Sequence, residues 1–399
     1  MKTNTLIIGQ GISGTFLSHW LGKEGIAHLV IDEERPGTPS KSAAGIINPV
    51  TGRRIVKTWM IDKLLPFALE AYRQLNTELS ISCLTITETI EFFPTAQMRN
   101  AFVERIHPAG GKDTTKSENP TATENPTASE NPSAIGDGSE YLKLATRESG
   151  LPDDPADPRG PAREDAWSDY FRYDLGYGTI SPCAIVDLHS LLAAYRKKLR
   201  DSGRLLEELF DPSALQIPAD HTPIRYKDIE ADRIVFCDGA ASFENPYFRN
   251  LPFAPNKGEA LILEIDGLPP ENPIFKKGMV LAPWREGLFW VGSSYEWSFT
   301  NKQPTDVFRR RTEAALQEWL KLPFRVMDHI ASVRPATLER RPFVGFHPQQ
   351  PRIGIFNGMG TKGCSLAPYF AEQLAAYIGN GQPIPPDVDV RRFEKVLIR

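Results

Sequence analysis

The chain has 399 residues, an apolar share of 41% and a formal net charge of −4. That length can bury two cores, and the slightly acidic balance gives no global field to attract nucleic acid. Four cysteines without a C-x-x-C pair, and seven scattered histidines, exclude a disulfide framework and a spaced set of metal ligands. No apolar run approaches a membrane span. The N-terminal apolar run breaks at Gly9, so it carries no signal-peptide pattern. A soluble, cytoplasmic protein without metal, membrane or nucleic-acid partner is expected. Arg53-Arg54, Arg309 to Arg311, Arg340-Arg341 and Arg391-Arg392 read as solvated or ion-paired faces.

The first elements organise the rest. Leu6-Ile7-Ile8 reads as a buried strand, followed by Gly9-Gln10-Gly11-Ile12-Ser13-Gly14, a full G-x-G-x-x-G. A helical pattern places Phe16, Leu17, Trp20 and Leu21 on one face, and Gly25 ends it. His28 to Ile31 is a second strand, closed by Asp32. Gly9 allows the tight turn, Gly11 lets a pyrophosphate approach the backbone, and Gly14 lets the helix pack on the sheet. The helix N-terminus at Ile12 and Ser13 offers N–H groups and a positive dipole end to phosphates. Asp32, 18 residues after Gly14, can accept from a ribose hydroxyl and would repel a 2′-phosphate. The unit predicts a dinucleotide site that disfavours NADP.

Ser42-Ala43-Ala44-Gly45 follows a polar loop, and its small side chains suit close backbone contact with a cofactor. Ile61 to Leu79 has helical periodicity through Leu64, Leu65, Ala68, Tyr72 and Leu75, and Thr85 to Phe93 reads as a strand. Residues 117–134 are three hexads, SENPTA, TENPTA and SENPSA. Only alanine is apolar in them, too little for a β-helix, so 108–165 reads as a low-complexity, disordered insertion. Asp187 to Leu199 is an amphipathic helix. Short β-type runs at Leu205–Phe210, Ile224–Tyr226 and Ile234–Cys237 lead to the small-residue turn Asp238-Gly239-Ala240-Ala241.

Ala260–Ile265, Met279–Trp284 and Leu288–Tyr295 read as antiparallel strands, the last two joined by a turn at Arg285-Glu286-Gly287. Asp306 to Leu322 reads as a helix with Phe308, Thr312, Ala315 and Trp319 inward. Arg352 to Phe356 is a strand before the loop Gly358-Met359-Gly360-Thr361-Lys362-Gly363. Ser365 is the expected N-cap of a helix running to about Ile378, with Pro368 in its first turn and Gly379 at its C-terminal stop. Lys362 beside that helix N-terminus gives positive potential, suited to a cofactor that becomes anionic on reduction.

GQGISG with Asp32, SAAGIINP, VFCDGAA, NKGEALIL, VLAPWREGLFWVGSSY, VRPATLERRPFVG and GMGTKGCSLAPYFAEQLAAYI occur in this order. Together they resemble the D-amino-acid oxidase family of FAD enzymes, the group containing glycine oxidase, sarcosine oxidase and amino acid dehydrogenases. The resemblance implies an α/β fold: a Rossmann-like, doubly wound FAD-binding domain with an inserted α+β substrate domain on an antiparallel sheet. The expected FAD-binding segments are 1–80, 178–247 and 333–399, with 81–107, 166–177 and 248–332 as substrate domain. Gly9, Gly11, Gly14 and Asp32 would hold the ADP half. Ser42, Ala43, Ala44 and Gly45 would line the pyrophosphate and flavin, and Asp238, Gly239 and Ala240 would close over the cofactor. Gly358 to Gly363 would meet the flavin pyrimidine edge.

Arg334, Tyr295 and Lys362 are the candidate catalytic residues. Arg334 matches the arginine that clamps the substrate carboxylate, a task suited to its bidentate fork; its structural alternative is an ion pair, for instance with Glu339. Tyr295 matches a substrate-facing position, with a packed core residue as its alternative. The resemblance implies oxidation of the C–N bond of a small amine or amino acid, with hydride transfer to flavin N5. The pattern departs from relatives at three places. Thr361 stands where some carry a second basic residue, and Trp290 where sarcosine oxidases carry an oxygen-activating lysine. Cys364 lies away from their flavin-linking cysteine. Non-covalent FAD is therefore expected, with the electron acceptor open between O2 and another species. Competing readings are a tRNA wobble-uridine carboxymethylaminomethyl oxidase and a non-catalytic flavin-binding protein, with a plain NAD-binding dehydrogenase a weaker option.

Overall fold

The computed structural model describes residues 1–52, 54–106, 138–144, 167–218, 222–269, 271 and 273–398. The hexads at 117–134 lie outside the described residues. Two sheets divide the rest. In the first, of eight strands, Lys2–Ile8 runs parallel to His28–Ile31 on one side and to Ile229–Phe236 on the other. Gln350–Asn357 adds in parallel to Ile229–Phe236, and Phe343–His347 pairs antiparallel with it. These strands are apolar runs because both faces are covered. Ile7, Val30 and Val235 meet the long helices Ile12–Lys23, Ile61–Leu79, Leu188–Asp201 and Gly363–Asn380. Their neighbours Leu6, Ile8, Leu29, Ile31, Ile234 and Phe236 pack against Phe248, Leu251, Val390 and Leu397 on the other face.

The helix Ile61–Leu79 has the expected bounds and buries its predicted stripe. Asp187 caps the helix Leu188–Asp201 by accepting from the N–H groups of His189 and Ser190. The C-terminal helix differs from expectation at both ends. It runs Gly363–Asn380 with Lys362 as N-cap, because the Ser365 hydroxyl donates to the Lys362 carbonyl instead of capping. Gly379 lies inside the helix, and Gly381 makes the stop at φ 77°. Pro368 lies beyond the first turn and cannot donate to the carbonyl four residues earlier. That carbonyl, on Cys364, accepts from the Tyr72 hydroxyl at 2.9 Å. The proline is thus tolerated because a neighbouring helix supplies the missing donor.

The second sheet has nine strands. Its order is Phe324–Arg334, Asn256–Ile265, Phe289–Gly292, Met279–Pro283, Ile274–Lys277, Leu84–Phe92, Tyr177–Val186 and Ile46–Ile47, with Leu142–Leu144 also pairing Tyr177–Val186. All pairs are antiparallel except Ile274–Lys277 with Leu84–Phe92. Strict alternation sends Leu261, Leu263, Phe275, Leu281, Phe289 and Val291 to a core with Leu316 and Trp319 of the helix Asp306–Trp319. The opposite face turns Ala260, Trp290, Val280, Lys276 and Glu91 towards a cavity.

Several boundaries move. Tyr177–Val186 belongs to this second sheet, so the FAD-binding segment drawn from 178 begins inside it. Pro182 hides the strand in the sequence, and it sits where the register with Leu84–Phe92 shifts and no ladder donor is needed. Residues 138–144, assigned to the insertion, form a 3-10 turn at Ser139–Tyr141 and the strand Leu142–Leu144. The run expected at Leu205–Phe210 pairs only at Leu205–Leu206. Beyond it the Glu208 carboxylate turns to the Tyr226 hydroxyl and Lys227, each at 2.7 Å. The strand expected to reach Tyr295 ends at Gly292. Among the described residues no helix is long and apolar enough to cross a membrane.

Candidate active site

A cavity of about 2160 Å³ is lined by residues of both sheets. Small-molecule pockets commonly hold ~300–1,000 Å³, so this one has room for a dinucleotide and a substrate together. Gly9, Gly11, Ile12 and Ser13 line one end. Gly9 has φ 99°, and a Cβ there would stand 2.7 Å from the Cys237 carbonyl oxygen. A Cβ on Gly14 would collide with the Gly9 carbonyl oxygen. Gly14 is not on the cavity wall; it lets the helix close on the turn, and the helix N-terminus then points into the cavity.

Asp32 is held from three directions. Its Oδ2 accepts from the Gln10 N–H at 3.0 Å, and its Oδ1 accepts from the Glu34 N–H at 2.9 Å and from Arg196 Nη1 at 2.7 Å. A carboxylate has about four acceptor sites, so Oδ2 keeps one for a ribose hydroxyl. Arg196, 4% exposed, also donates to the Asp32 carbonyl at 2.9 Å and to Glu207 at 3.1 Å. Arg196 was not anticipated. The signal was a charge inside the apolar stripe Leu192, Tyr195, Leu199 of its helix.

Ser42, Ala43, Ala44 and Gly45 line the middle of the cavity, and the Trp290 indole N–H donates to the Ser42 carbonyl at 3.1 Å. Asp238, Gly239 and Ala240 stand opposite the first glycine turn in the same wall. Burial pushes the Asp238 carboxyl up to about 6, against the Ser242 hydroxyl that donates to it. Asn357, also not anticipated, donates to the Gly239 carbonyl at 2.8 Å and to Ser242 Oγ at 2.9 Å, joining this turn to the last strand. Met359, Gly360, Thr361, Lys362 and Gly363 line the cavity; Gly358 sits behind them, where a Cβ would approach Thr337 to 2.7 Å. Lys362 Nζ lies 3.5 Å from the Thr58 hydroxyl. Burial pushes the Cys364 thiol up to about 12, which keeps it protonated and unreactive.

Arg334 enters from the antiparallel sheet at the end of Phe324–Arg334. Its guanidinium lies over Gly258, where any Cβ would strike it. Nη1 donates to Asn256 Oδ1 at 2.6 Å and to the Ser294 carbonyl at 3.1 Å. Both acceptors are neutral. Glu339 pairs instead with Arg392 at 3.2 Å, and among the described residues no carboxylate pairs with Arg334. Burial pulls Arg334 down from the usual guanidinium value, against the nearby Tyr295, but a guanidinium stays charged at neutral pH. Tyr295 is 60% exposed, with Arg334 Cζ 4.8 Å from its ring centroid. Tyr295 is thus not a core residue.

Glycine turns, an acid with a spare acceptor site and a second helix N-terminus at Lys362 fit a flavin dinucleotide. The arginine-bearing sheet lines the cavity across from them. The chain belongs to the DAO family of FAD dependent oxidoreductases, whose family model matches residues 4–377. Glycine oxidase of Pseudomonas aeruginosa is 29% identical over 163 residues, which is 39% of this chain and 44% of that protein. Glycine oxidase of Bacillus subtilis is 26% identical over 159 residues, 38% of this chain and 42% of that one. The chain thus spans under half the length of these curated relatives. Two solved structures share the fold throughout. Iminodiacetate oxidase from Chelativorans sp. BNC1 gives a TM-score of 0.68 at 19% identity, covering 98% of each chain. Glycine oxidase from Geobacillus kaustophilus gives 0.70 at 15% identity, covering 96% of this chain and 95% of that one.

Proposed function

We propose that this protein oxidises the C–N bond of a small amine or amino acid that bears a carboxylate. The observation that carries the reading is Arg334: a charged fork on the cavity wall, held by two neutral acceptors and paired with no carboxylate among the described residues. Its remaining donors suit a substrate carboxylate in bidentate geometry. Tyr295 stacks on the guanidinium and limits its rotation. Asn256 and Ser294 fix its direction, so the substrate α-carbon is oriented by one anchored end. FAD, when bound, supplies the acceptor for the hydride and its electrons. Gly9, Gly11, Ile12, Ser13 and Asp32 would hold the ADP half without a covalent link, Ser42 to Gly45 with Asp238 to Ala240 the middle, and Met359 to Gly363 the flavin end. Lys362 and the N-terminus beneath it would favour an anionic reduced ring.

Glycine oxidase and iminodiacetate oxidase, by name, act on small amines with carboxylates, which supports the same class here. We read the working compartment as the cytoplasm, because all four cysteines are free and buried. Trp290 at the lysine position of sarcosine oxidases leaves the acceptor to measurement: oxygen consumption with peroxide release marks an oxidase, and turnover only with an added dye marks a dehydrogenase. The test of the reading is anaerobic titration of the flavin spectrum with glycine, sarcosine and D- and L-amino acids. One or more should bleach it. Arg334→Ala should weaken that bleaching by about 10²–10³-fold, the loss of a charged hydrogen-bonded pair. A flavin that no amine bleaches would overturn the proposal.

A further inference from the structure

After the strand Phe289–Gly292 the chain leaves the antiparallel sheet at Ser293 and returns at Thr305, the N-cap of the helix Asp306–Trp319. This loop brings Ser293, Tyr295 and Lys302 to the cavity wall that also holds Arg334. Among the described residues, 297–304 makes a hydrogen bond only within itself, from the Gln303 N–H to Asn301 Oδ1 at 3.0 Å. The polar ties between the loop and the rest of the protein therefore lie at its two ends.

Glu259, on the neighbouring strand, holds both ends. At the near end its N–H donates to Ser294 Oγ at 2.9 Å, and its carbonyl accepts from the Ser294 N–H at 3.2 Å. Lys257 and Glu296 exchange backbone hydrogen bonds beside them, each at 2.9 Å. At the far end Glu259 Oε2 accepts from the Thr305 N–H at 2.6 Å, and Oε1 accepts from the Thr305 hydroxyl at 2.9 Å. Lys257 Nζ lies 3.1 Å from Oε1 and His329 Nε2 lies 3.0 Å from Oε2. The carboxylate thus has a partner at each of its about four acceptor sites. Alternation puts this side chain on the sheet face of Leu261, while Gly258 and Ala260 turn to the cavity. Glu259 is 0% exposed. An apolar side chain would fill such a place at less cost, so packing alone does not account for a carboxylate here; fixing the loop does.

The near end of the loop is also the seat of the arginine fork. Arg334 Nη1 donates to the Ser294 carbonyl at 3.1 Å, and the guanidinium lies 4.8 Å from the Tyr295 ring centroid. We propose that Glu259 is a positioning residue for amine oxidation. By pinning both ends of the loop 293–305 from behind the sheet, it sets where Ser294 and Tyr295 hold the Arg334 fork, and so where the substrate carboxylate sits. Lys257 and His329 hold the Glu259 carboxylate in turn. This rests on the reading of Arg334 as the carboxylate anchor.

The test is a double-mutant cycle on the FAD-loaded protein, read as the rate over dissociation constant of anaerobic flavin bleaching by an amino acid that reduces the wild type. Glu259→Gln keeps the side-chain shape and sets an amide N–H against Lys257 or Thr305. Alone it should lower that ratio by about 10–10²-fold, the scale of a displacement near 1 Å at an orienting contact. In an Arg334→Ala background it should lower it by less than about threefold, because the residue it positions is gone. Affinity for FAD should not change. Thr305→Val removes only the hydroxyl donor and should give a smaller loss with the same dependence on Arg334, while Thr305→Ser restores the wild-type value; this cycle serves where Glu259→Gln folds poorly. An equal loss in both Arg334 backgrounds, or no loss in the folded variants, overturns the positioning role while amine oxidation stands. A wild-type flavin bleached by no amine, or an Arg334→Ala variant bleached like the wild type, removes the broader reading and this one with it.

Discussion

The two ends of the cavity are built on opposite plans. At the nucleotide end the polar groups are largely satisfied before any ligand arrives. Asp32 accepts from Gln10, Glu34 and Arg196, and Asp238 is tied into the Ser242–Asn357 network. At the substrate end the polar groups are held in place and left incomplete. Among the described residues Arg334 has only neutral acceptors, and Nδ2 of the Asn256 that holds it is buried without a partner. A cofactor that stays bound is served by a finished cradle, because preorganised dipoles need no rearrangement. A substrate that comes and goes gains selectivity from groups that only it completes. The difference teaches where to look for chemistry on this scaffold: in the unsatisfied atoms of the antiparallel sheet rather than in the glycine turns.

Substitutions at the two ends should therefore fail in different ways. The largest effect is expected from Gly14→Val, whose side chain collides with the Gly9 carbonyl. The purified protein should lose its visible flavin absorbance; full retention would break the account of the turn. Arg196→Met leaves the Asp32 carboxylate without its ion pair. FAD should bind about tenfold more weakly, the scale of one charge-assisted hydrogen bond, and thermal unfolding should come several degrees earlier. Calorimetric titration of stripped protein with FAD measures the first.

Asp238 sharpens the comparison through pH. Its folded-state value of about 6 lies above the usual aspartate value, so the folded protein binds more protons than the unfolded chain between these limits. Its contribution to stability is then highest below the usual value and is lost as pH rises through about 6. Asp238→Asn removes that slope, and its Tm relative to wild type should climb from about pH 4 to 6. A flat difference would contradict the burial argument. The smallest effect is expected at Tyr295. An exposed cation–π contact is worth about 0.5–1 kcal/mol, so Tyr295→Ala should raise KM about threefold with kcat little changed, and Tyr295→Phe should do nothing.

Much of the nucleotide end was legible in the sequence, because it rests on local backbone demands. A turn that only glycine can make, an acid at the end of the next strand and a helix stripe leave marks within about thirty residues. Arg334 was legible only through resemblance to a family, since its neighbours Asn256, Gly258 and Ser294 are distant in sequence. The strand that carries it, Phe324–Arg334, escaped notice because most of its side chains are half-exposed and polar residues break its alternation. Arg196, Lys276 and Glu91 left a weaker mark: a charge in the middle of an apolar pattern, as in Ile90-Glu91-Phe92. Read alone, such a charge does not say which distant partner neutralises it. The expected caps at Ser365 and Gly379 failed because another residue, Lys362 or Gly381, fills the role better in three dimensions.

The parallel pairing of Lys2–Ile8 with Ile229–Phe236 has a consequence for biosynthesis. Asn4 and Asp232, which are hydrogen-bonded across that pair, are 228 positions apart in the chain. At ~5–20 residues per second the first strand waits roughly 10–45 s after synthesis before its partner leaves the ribosome. Through that interval its edge, and the glycine turn after it, are open to other chains. The newborn protein therefore has a built-in period of dependence on whatever shields exposed strands in the cell, and slowing translation should lengthen it.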